Sequence, residues 1–450
     1  MANVVVCALS NTSFTEECYK DCFVEQLINS FIRNGNNVLY IPYFRMGYSK
    51  HSEAQIKSKL VSFRPNLVIA FNNALPSKNL FEFLDVPILS YASDTTHFWL
   101  NKEAILKNID RYWFASVSAI TANEIQNTLN PHPDRNFVIG YATDMRAESI
   151  EQDIPISFVG SIANFSPNTT KFWDRIIDHI PDWAEKDRIK TAYFHALDQF
   201  SADTSTDMQF NINQYLRNVD ICSKDRLNQE TVFLLTCRER FKTLSALAEV
   251  GGLTIFGYPN QWPTAFQFDY NLFRCFTFQP SITFKQNLRT YNRSIVSLNL
   301  YHANHTDGFS WRVCDILASN AVLLSNKKKD LETLTKGYVD LPMYESSSEA
   351  KQLAKKLLGD KVLRTEICDA SHRMINDKCR FERYLQIINE RISNIKLSIS
   401  DKQEGILEEL SLVPRTDSDS LLDKIAYKFT KHFSKILVRK GIIYDPVERK

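Results

Sequence analysis

The stretch SIVSLNLYHANHTDGFSWRVCDILASNAVLLS, residues 294–325, decides the fold because it contains a complete strand–helix–strand pattern. Its apolar ends, SIVSLNL (294–300) and AVLLS (321–325), each predict a buried strand. The segment between them predicts a helix that begins near Gly308. A strand, a helix and a second strand in this order are typical of a parallel βαβ unit, which binds ligands at the carboxyl ends of its strands.

The same alternation occurs throughout the chain. In the first half the predicted strands are VVVCALS (4–10), NVLYIPY (37–43), LVIAF (67–71), PILSYA (87–92), YWFASV (112–117) and NFVIGY (136–141). In the second half, ISFVGS (156–161) and LTIFGYP (253–259) precede the stretch quoted above. The pattern therefore predicts the α/β class, with two Rossmann-like domains that face a cleft.

The predicted boundaries follow from changes in composition along the 450 residues. Residues 1–150 form the first Rossmann-like domain, and residues 151–380 form the second, with a helical insertion at about 181–235. Closing helices occupy 381–412, beginning with one from Phe381 to about Lys396. Residues 413–450 comprise a linker and an amphipathic basic tail.

The tail segment LLDKIAYKFTKHFSKILVRK (421–440) places six apolar residues on one helical face and lysines and arginines on the remainder. Two interpretations stay open. The helix docks on its own chain or on a second copy, or it binds an anionic membrane surface.

Composition excludes several classes of function. A net charge of +2 is too small for a surface that coats nucleic acid. No stretch of 18 apolar residues predicts a membrane span, and the N-terminus does not resemble a signal peptide. The nine cysteines and nine histidines lack metal-site spacing, and the only D-x-D motif, 417–419, lies in the linker. We therefore expect a cytoplasmic protein, peripheral on the membrane if the tail binds lipid, that needs no metal or other cofactor.

The motif DGFSWRVCD (307–315) combines two carboxylates with an arginine between them. On a helix that begins near Gly308, Asp307 and Asp315 lie about 12 Å apart, which is roughly the separation of the sugar and the ribose in a nucleotide sugar. First-turn amides and Arg312 could then hold the diphosphate. The alternative interpretation is a surface helix with Asp307 as its N-cap and an Arg312–Asp315 ion pair.

The chain resembles the group 1 glycosyltransferases of GT-B architecture, nearest their spore-maturation-protein-like branch. The family signature E-G-F-x5-E corresponds to Asp307-Gly308-Phe309 and Asp315, with aspartate replacing glutamate at both ends. ISFVGS (156–161), CRERFKTLSALAE (237–249), LTIFGYPNQWP (253–263) and SIVSLNLYHA (294–303) resemble the preceding family elements in the same order. SYASDTTHFW (90–99) and GYATD (140–144) extend the resemblance weakly into the first half.

This resemblance implies a site for each substrate. The second domain is expected to bind the nucleotide-sugar donor through Gly160, Ser161, Arg240, Gly257, Gly308, Phe309, Arg312 and Asp315, with Lys242 as a further candidate for the diphosphate. The first domain is expected to bind the acceptor, with Asp94 beside an acceptor hydroxyl and His97 beside the donor sugar or its phosphate. Asp94, His97 and Asp307 are the predicted catalytic residues. For Asp94 and His97, an Asx-type cap and a half-exposed histidine remain the structural alternative.

The implied function is retaining transfer of a sugar to a glycan, a lipid-linked acceptor or a protein, in bacterial surface-glycan synthesis. Two alternatives remain at this point. One is a nucleotide-sugar epimerase of the same architecture, for which the sequence offers no assignable acid–base pair. The other is a non-catalytic binding subunit, which the two glutamate-to-aspartate changes favour.

Overall fold

The computed structural model describes residues 2–9, 11–12, 18–43, 53–77, 79–162, 182–202, 221–257, 262–278, 283–300, 302–303, 308–400 and 403–410. These residues form two compact units. The first unit draws on Met1–Arg146, Gln279–Thr290 and Arg373–Lys450, and the second on Ala147–Phe278 and Tyr291–His372. The predicted tail, 421–440, lies outside the described residues.

The strands are, in chain order, β1 (Asn3–Leu9), β2 (Asn11–Thr12), β3 (Cys18–Tyr19), β4 (Asn37–Tyr43), β5 (Leu67–Phe71), β6 (Ile88–Ala92), β7 (Tyr112–Ser116), β8 (Asn136–Val138), β9 (Ile154–Val159), β10 (Leu253–Phe256), β11 (Ser294–Asn299), β12 (Val322–Asn326), β13 (Met343–Tyr344) and β14 (Leu407–Glu409).

The helices are α1 (Cys22–Arg33), α2 (Glu53–Phe63), α3 (Leu80–Phe83), α4 (Lys102–Lys107), α5 (Ala119–Leu129), α6 (Trp183–Ala202), α7 (Ile221–Ala248), α8 (Pro263–Phe268), α9 (Tyr270–Cys275), α10 (Phe284–Arg293), α11 (Arg312–Leu317), α12 (Lys329–Thr335), α13 (Ser347–Gly359), α14 (Lys361–Lys378) and α15 (Phe381–Arg391). Short 3-10 turns occur at Thr96–Phe98, Ile109–Arg111 and Pro133–Arg135. Within the described residues, none of these helices is long and apolar enough to cross a bilayer.

The first unit is built on a seven-stranded sheet of order β14-β4-β1-β5-β6-β7-β8, in which every neighbouring pair is parallel. All five residues of β5, and all five of β6, are buried. Burial on both faces explains why these strands read as continuous apolar runs rather than as alternating patterns.

The second unit contains a five-stranded parallel sheet of order β10-β9-β11-β12-β13. Two of its helices, α6 and α7, cover part of the predicted insertion at 181–235. The predicted fold class, α/β with two Rossmann-like units, is confirmed.

The chain after α14 returns to the first unit. Phe381 packs against Phe23 of α1, with 5.6 Å between ring centroids. Asn36 and Ser398 exchange two hydrogen bonds of 2.9 and 2.8 Å, and β14 then pairs with β4. The predicted helix from Phe381 to Lys396 is therefore too long, since it ends at Arg391 and the following residues cross to the edge of the sheet.

Candidate functional site

The second unit gathers polar groups where its parallel strands end. Gly160 and Ser161 follow β9, and Gly257 follows β10. Asn299 and Asn326 are the last residues of β11 and β12. Because these strands are parallel, all four ends lie along one edge of the sheet, which is where such sheets bind ligands.

Arg240 holds the loop after β9. It comes from α7, is 9% exposed, and donates a hydrogen bond of 2.7 Å from Nη1 to the carbonyl of Ser161. Its guanidinium carbon lies 6.0 Å from the ring centroid of Phe158, in the strand itself. The predicted donor-binding residues Gly160, Ser161 and Arg240 are therefore neighbours.

Gly257 and Gly160 allow two loops to approach closely. A Cβ on Gly257 would lie 2.4 Å from Nε1 of Trp262 and 2.7 Å from the carbonyl oxygen of Gly160. A Cβ on Gly160 would lie 2.9 Å from the ring of Phe158. Backbone and packed aromatic atoms cannot yield easily, so packing alone requires glycine at both positions.

The helix in the quoted stretch begins at Arg312, so the predicted start near Gly308 is wrong. Gly308, Phe309 and Ser310 are not helical. Ser310 Oγ instead donates to Oδ1 of Asn299 at 2.8 Å, and Asn299 Nδ2 donates to Ser325 Oγ at 3.0 Å. These bonds tie the segment to the ends of β11 and β12 and delay the first helical turn.

The alternative of a surface helix with an Arg312–Asp315 pair does not describe this segment. All five residues from Val313 to Leu317 are buried, and Asp315 has 0% exposure. Among the described residues no ion pair joins Arg312 to Asp315. The guanidinium of Arg312 lies over the ring of Trp311, 4.5 Å from its centroid. Its Nε is buried and has no hydrogen-bond partner in the described part of the chain.

Arg240 and Arg312 affect each other electrostatically. Burial and, secondarily, the positive charge of Arg312 lower the pKa of Arg240. Guanidinium groups nevertheless remain charged at neutral pH. Two neighbouring positive charges, one of them buried, make this edge of the sheet favourable for an anion.

The first unit presents Asp94 just after β6. Asn72, at the end of β5, donates from Nδ2 to Asp94 Oδ2 at 2.6 Å. Asn72 Oδ1 accepts from the amides of Ser93 and Asp94, each at 3.1 Å, and from Ser93 Oγ at 3.2 Å. Asp94 is half-buried, and its carbonyl accepts a bond from Trp99 Nε1 at 3.0 Å.

The turn that carries His97 is held by α5. Glu124 Oε1 accepts from the amide of Thr96 at 3.0 Å and from the Thr96 hydroxyl. The backbone of His97 lies in the 3-10 turn Thr96–Phe98, but its side chain is outside what the structure describes, as is Asp307. The catalytic roles of Asp94, His97 and Asp307 stay predictions.

The sequence interpretation missed three residues of the second unit. Trp311 packs under the guanidinium of Arg312. Tyr344, whose pKa is raised by burial, interacts electrostatically with Arg240. Asn326 ends β12 beside Tyr344 in the strand register. An asparagine at the end of an apolar strand is the one signal that could have identified any of them. Among the described residues no group of three His, Cys, Asp or Glu side chains is arranged to hold a metal.

Part of the chain matches a known protein family. Residues 238–389 match the family model described as "Glycosyl transferase-like". This stretch is glycosyltransferase-like. It includes Arg240, Gly257, Arg312 and Asp315 among the predicted donor-binding residues. A sequence search of curated proteins finds no match.

Solved structures share the fold. Sucrose-phosphate synthase from Thermosynechococcus elongatus superposes with a TM-score of 0.51 at 10% identity, over 87% of this chain and 99% of that chain. T4 phage BGT in complex with UDP and Mn2+ gives 0.49 at 12% identity, over 87% and 99%. AviGT4, a glycosyltransferase involved in avilamycin A biosynthesis, gives 0.48 at 9% identity, over 87% and 97%. The first of these superpositions supports the GT-B fold for this chain.

Proposed function

We propose that this protein is a glycosyltransferase that moves a sugar from a nucleotide-sugar donor to an acceptor. The observation that carries the proposal is a pair of guanidinium groups: Arg240 donates to the Ser161 carbonyl after β9, and Arg312 lies over Trp311 at the start of α11. Arg240 is buried near the positive charge of Arg312. The Nε–H of Arg312 is a buried donor without a partner in the described chain. A diphosphate relieves both deficits, because it supplies negative charge and hydrogen-bond acceptors.

In the proposed reaction, the bond between the anomeric carbon and the diphosphate oxygen breaks, and a bond from that carbon to the acceptor oxygen forms. The electron pair leaves with the diphosphate, so negative charge grows where Arg240 and Arg312 are proposed to bind. Interactions that strengthen with this charge accelerate the reaction. The acceptor proton passes to the leaving phosphate in the retaining mechanism that we favour.

The other roles extend the same proposal. Asp315 binds the ribose, Asp307 binds sugar hydroxyls, and the amides of Gly308 and Phe309 supplement the diphosphate contacts. Asp94 orients an acceptor hydroxyl, and the hydrogen bond that Asn72 Nδ2 donates to its carboxylate fixes the carboxylate for that task. His97 contacts the transferred sugar or its phosphate.

The finer assignments are also proposals. We place the chain nearest the spore-maturation-protein-like branch and assign it to surface-glycan synthesis, with a glycan, a lipid-linked sugar or a protein as acceptor. We propose a cytoplasmic location, with the tail 421–440 at the inner membrane face or on a second copy. We also propose that the two arginines replace a metal at the diphosphate, so activity should survive treatment with EDTA.

A specific observation supports a second candidate, a non-catalytic binding subunit. Asp315 has no exposed surface, so it is closed to a ribose in the described conformation. A scaffold that kept the fold but not the reaction would tolerate such burial. Catalysis instead requires that the segment around Asp315 open when the donor binds.

A nucleotide panel tests both candidates. Thermal unfolding is measured with UDP, GDP, CMP and TDP, because a ligand that binds the native state raises its melting temperature. The sugar donors of the responding nucleotide are then incubated with the protein, and free nucleotide is measured by chromatography with and without EDTA. We expect one nucleotide to respond and its donor to be slowly hydrolysed.

The controls separate the outcomes. Arg312→Gln should clearly reduce the thermal response, whereas Arg188→Gln, which removes an exposed guanidinium paired with Glu185, should not. Nucleotide binding without hydrolysis or transfer supports the scaffold. Conversion of the donor sugar without nucleotide release indicates an epimerase. A protein that binds no nucleotide overturns the proposed function.

A further inference from the structure

Asn326 is a buried amide without hydrogen bonds in the described part of the chain. It is the last residue of β12 and is 9% exposed. Its Oδ1 is buried and has no partner among the described residues. An acceptor in this state costs folding free energy, and such groups in folded proteins are satisfied by protein, water or ligand.

The neighbouring strand provides a matched comparison. Asn299 ends β11 as Asn326 ends β12, and both are buried. Asn299, however, accepts from Ser310 Oγ at 2.8 Å and donates to Ser325 Oγ at 3.0 Å. The side-chain amide of Asn299 therefore joins two segments of the protein, while the side-chain oxygen of Asn326 has no partner among the described residues.

Asn326 lies on the side of the sheet that faces the arginine site. It is paired in register with Tyr344 of β13, so both side chains are on the same face. Tyr344 hydrogen-bonds to Thr243 and interacts electrostatically with Arg240, both on α7. Asn326, which carries the unsatisfied acceptor, is thus the strand neighbour of Tyr344, and Tyr344 interacts with Thr243 and Arg240.

We infer that Asn326 is a specificity-determining residue whose side-chain oxygen accepts a hydrogen bond from a hydroxyl of the nucleotide-sugar donor. A diphosphate at neutral pH presents acceptors only, so it cannot satisfy an oxygen. The donors lie in the uncharged part of the ligand. The hydroxyls of the ribose and the transferred sugar are common to all nucleotide-sugar donors, whereas the N–H groups of the base differ from one nucleotide to the next. The inference rests on the proposed function, because it assumes that a nucleotide sugar occupies the site.

The test uses Asn326→Leu and its matched control Asn299→Leu, because leucine is similar in shape to asparagine but has no hydrogen-bonding group. Without ligand, Asn326→Leu should keep or raise the melting temperature, since it removes an unsatisfied buried acceptor, whereas Asn299→Leu should lower it. Calorimetry is then run with UDP, GDP, UDP-glucose and GDP-mannose on the wild type and on Asn326→Leu. We expect the variant to bind the responding ligand roughly three- to tenfold more weakly.

The pattern of loss identifies the hydroxyl. Equal weakening for nucleotide and nucleotide sugar places the contact on the nucleoside, and weakening for the nucleotide sugar alone places it on the transferred sugar. Wild-type binding with unchanged affinity in Asn326→Leu overturns this inference and leaves the proposed function intact. A melting temperature that falls as far as in Asn299→Leu also overturns it, because the role is then structural. If the wild type binds none of the four, the proposed function fails and takes the inference with it.

Discussion

Asn72 in the first unit and Asn326 in the second both stand at the carboxyl end of a parallel strand, yet their amides are used in opposite ways. Asn72 donates to Asp94 and accepts from three groups of Ser93 and Asp94. Asn326 Oδ1 has no partner among the described residues. The first arrangement is complete without a ligand, whereas the second is incomplete.

Charge separates the two regions in the same way. In the loop after β6, Asp94 is paired with Asn72, and Glu124 accepts from both donors of Thr96. The edge of the second sheet instead brings together Arg240 and Arg312, whose charges repel. A site whose groups satisfy one another is rigid and needs only to position a neutral acceptor. A site with two neighbouring positive groups gains most from binding an anion.

The largest effect is expected for Asn72→Ala, which breaks the complete network. The variant removes four hydrogen bonds, one of them to a carboxylate, and places alanine at a φ of +47°. We expect the free energy of unfolding to fall by about 3 kcal/mol, measured by urea denaturation. Asn72→Gly loses the same hydrogen bonds but adopts a positive φ without strain. It should therefore be about 1 kcal/mol more stable than Asn72→Ala. Asn326→Ala is the matched control, and an equal loss there would erase the contrast between the two regions.

The second largest effect is expected for Arg240→Gln, which removes a buried positive charge of the second unit. Nucleotide affinity should fall about a hundredfold, since a charge-assisted contact contributes roughly 1.5–3 kcal/mol. Arg240→Lys should recover little, because an ammonium group cannot hold the Ser161 carbonyl and a diphosphate in a fork. Calorimetry with the responding nucleotide decides the matter, and a change of less than threefold would remove Arg240 from the binding site.

The sequence predicted the strands of both sheets closely because parallel strands buried on both faces are continuous apolar runs. It did not predict β13, which has two residues, or β14, a three-residue strand (Leu407–Glu409) with two glutamates and two exposed side chains. That strand forms because Asn36 and Gly405 bring distant segments together. A Cβ on Gly405 would lie 1.9 Å from the carbonyl oxygen of Asn36, a contact that no local pattern encodes.

The candidate site was predictable only where a motif was contiguous. Arg240, Arg312 and Asp315 were identified from local sequence together with the family resemblance. The late start of α11 was not, because it depends on a bond from Ser310 to Asn299, eleven residues earlier. Nor does the sequence indicate which strand-end asparagine remains without a partner, since that depends on contacts across the sheet.

Arg312→Gln should weaken nucleotide binding less than Arg240→Gln does, and it should not lower the stability of the ligand-free protein. Affinity for the nucleotide should fall about tenfold, because one charge-assisted contact is lost on a half-exposed side chain. The ligand-free protein should be as stable as the wild type or more so, since the charge that opposes protonation of Arg240 is gone. Thermal unfolding with and without nucleotide measures both quantities. A ligand-free protein that melts lower, with unchanged affinity, would make Arg312 structural.

The smallest effect is expected for Glu124→Gln, the counterpart of Arg240→Gln in the first unit. Glu124 Oε1 accepts from the amide of Thr96 at 3.0 Å and from its hydroxyl, and the glutamine amide oxygen can accept the same two bonds. If the first unit depends on hydrogen-bond geometry rather than on charge, the free energy of unfolding should change by less than about 1 kcal/mol. Nucleotide affinity should not change at all. Glu124→Ala, which removes the acceptor, should cost about 2 kcal/mol and so shows that the contact itself matters. The free energy of unfolding of both variants is measured by urea denaturation. If the glutamine and alanine variants lose equal stability, the negative charge of Glu124 stabilises the turn. The two regions would then differ in the sign of their charge rather than in whether they need a ligand to complete them.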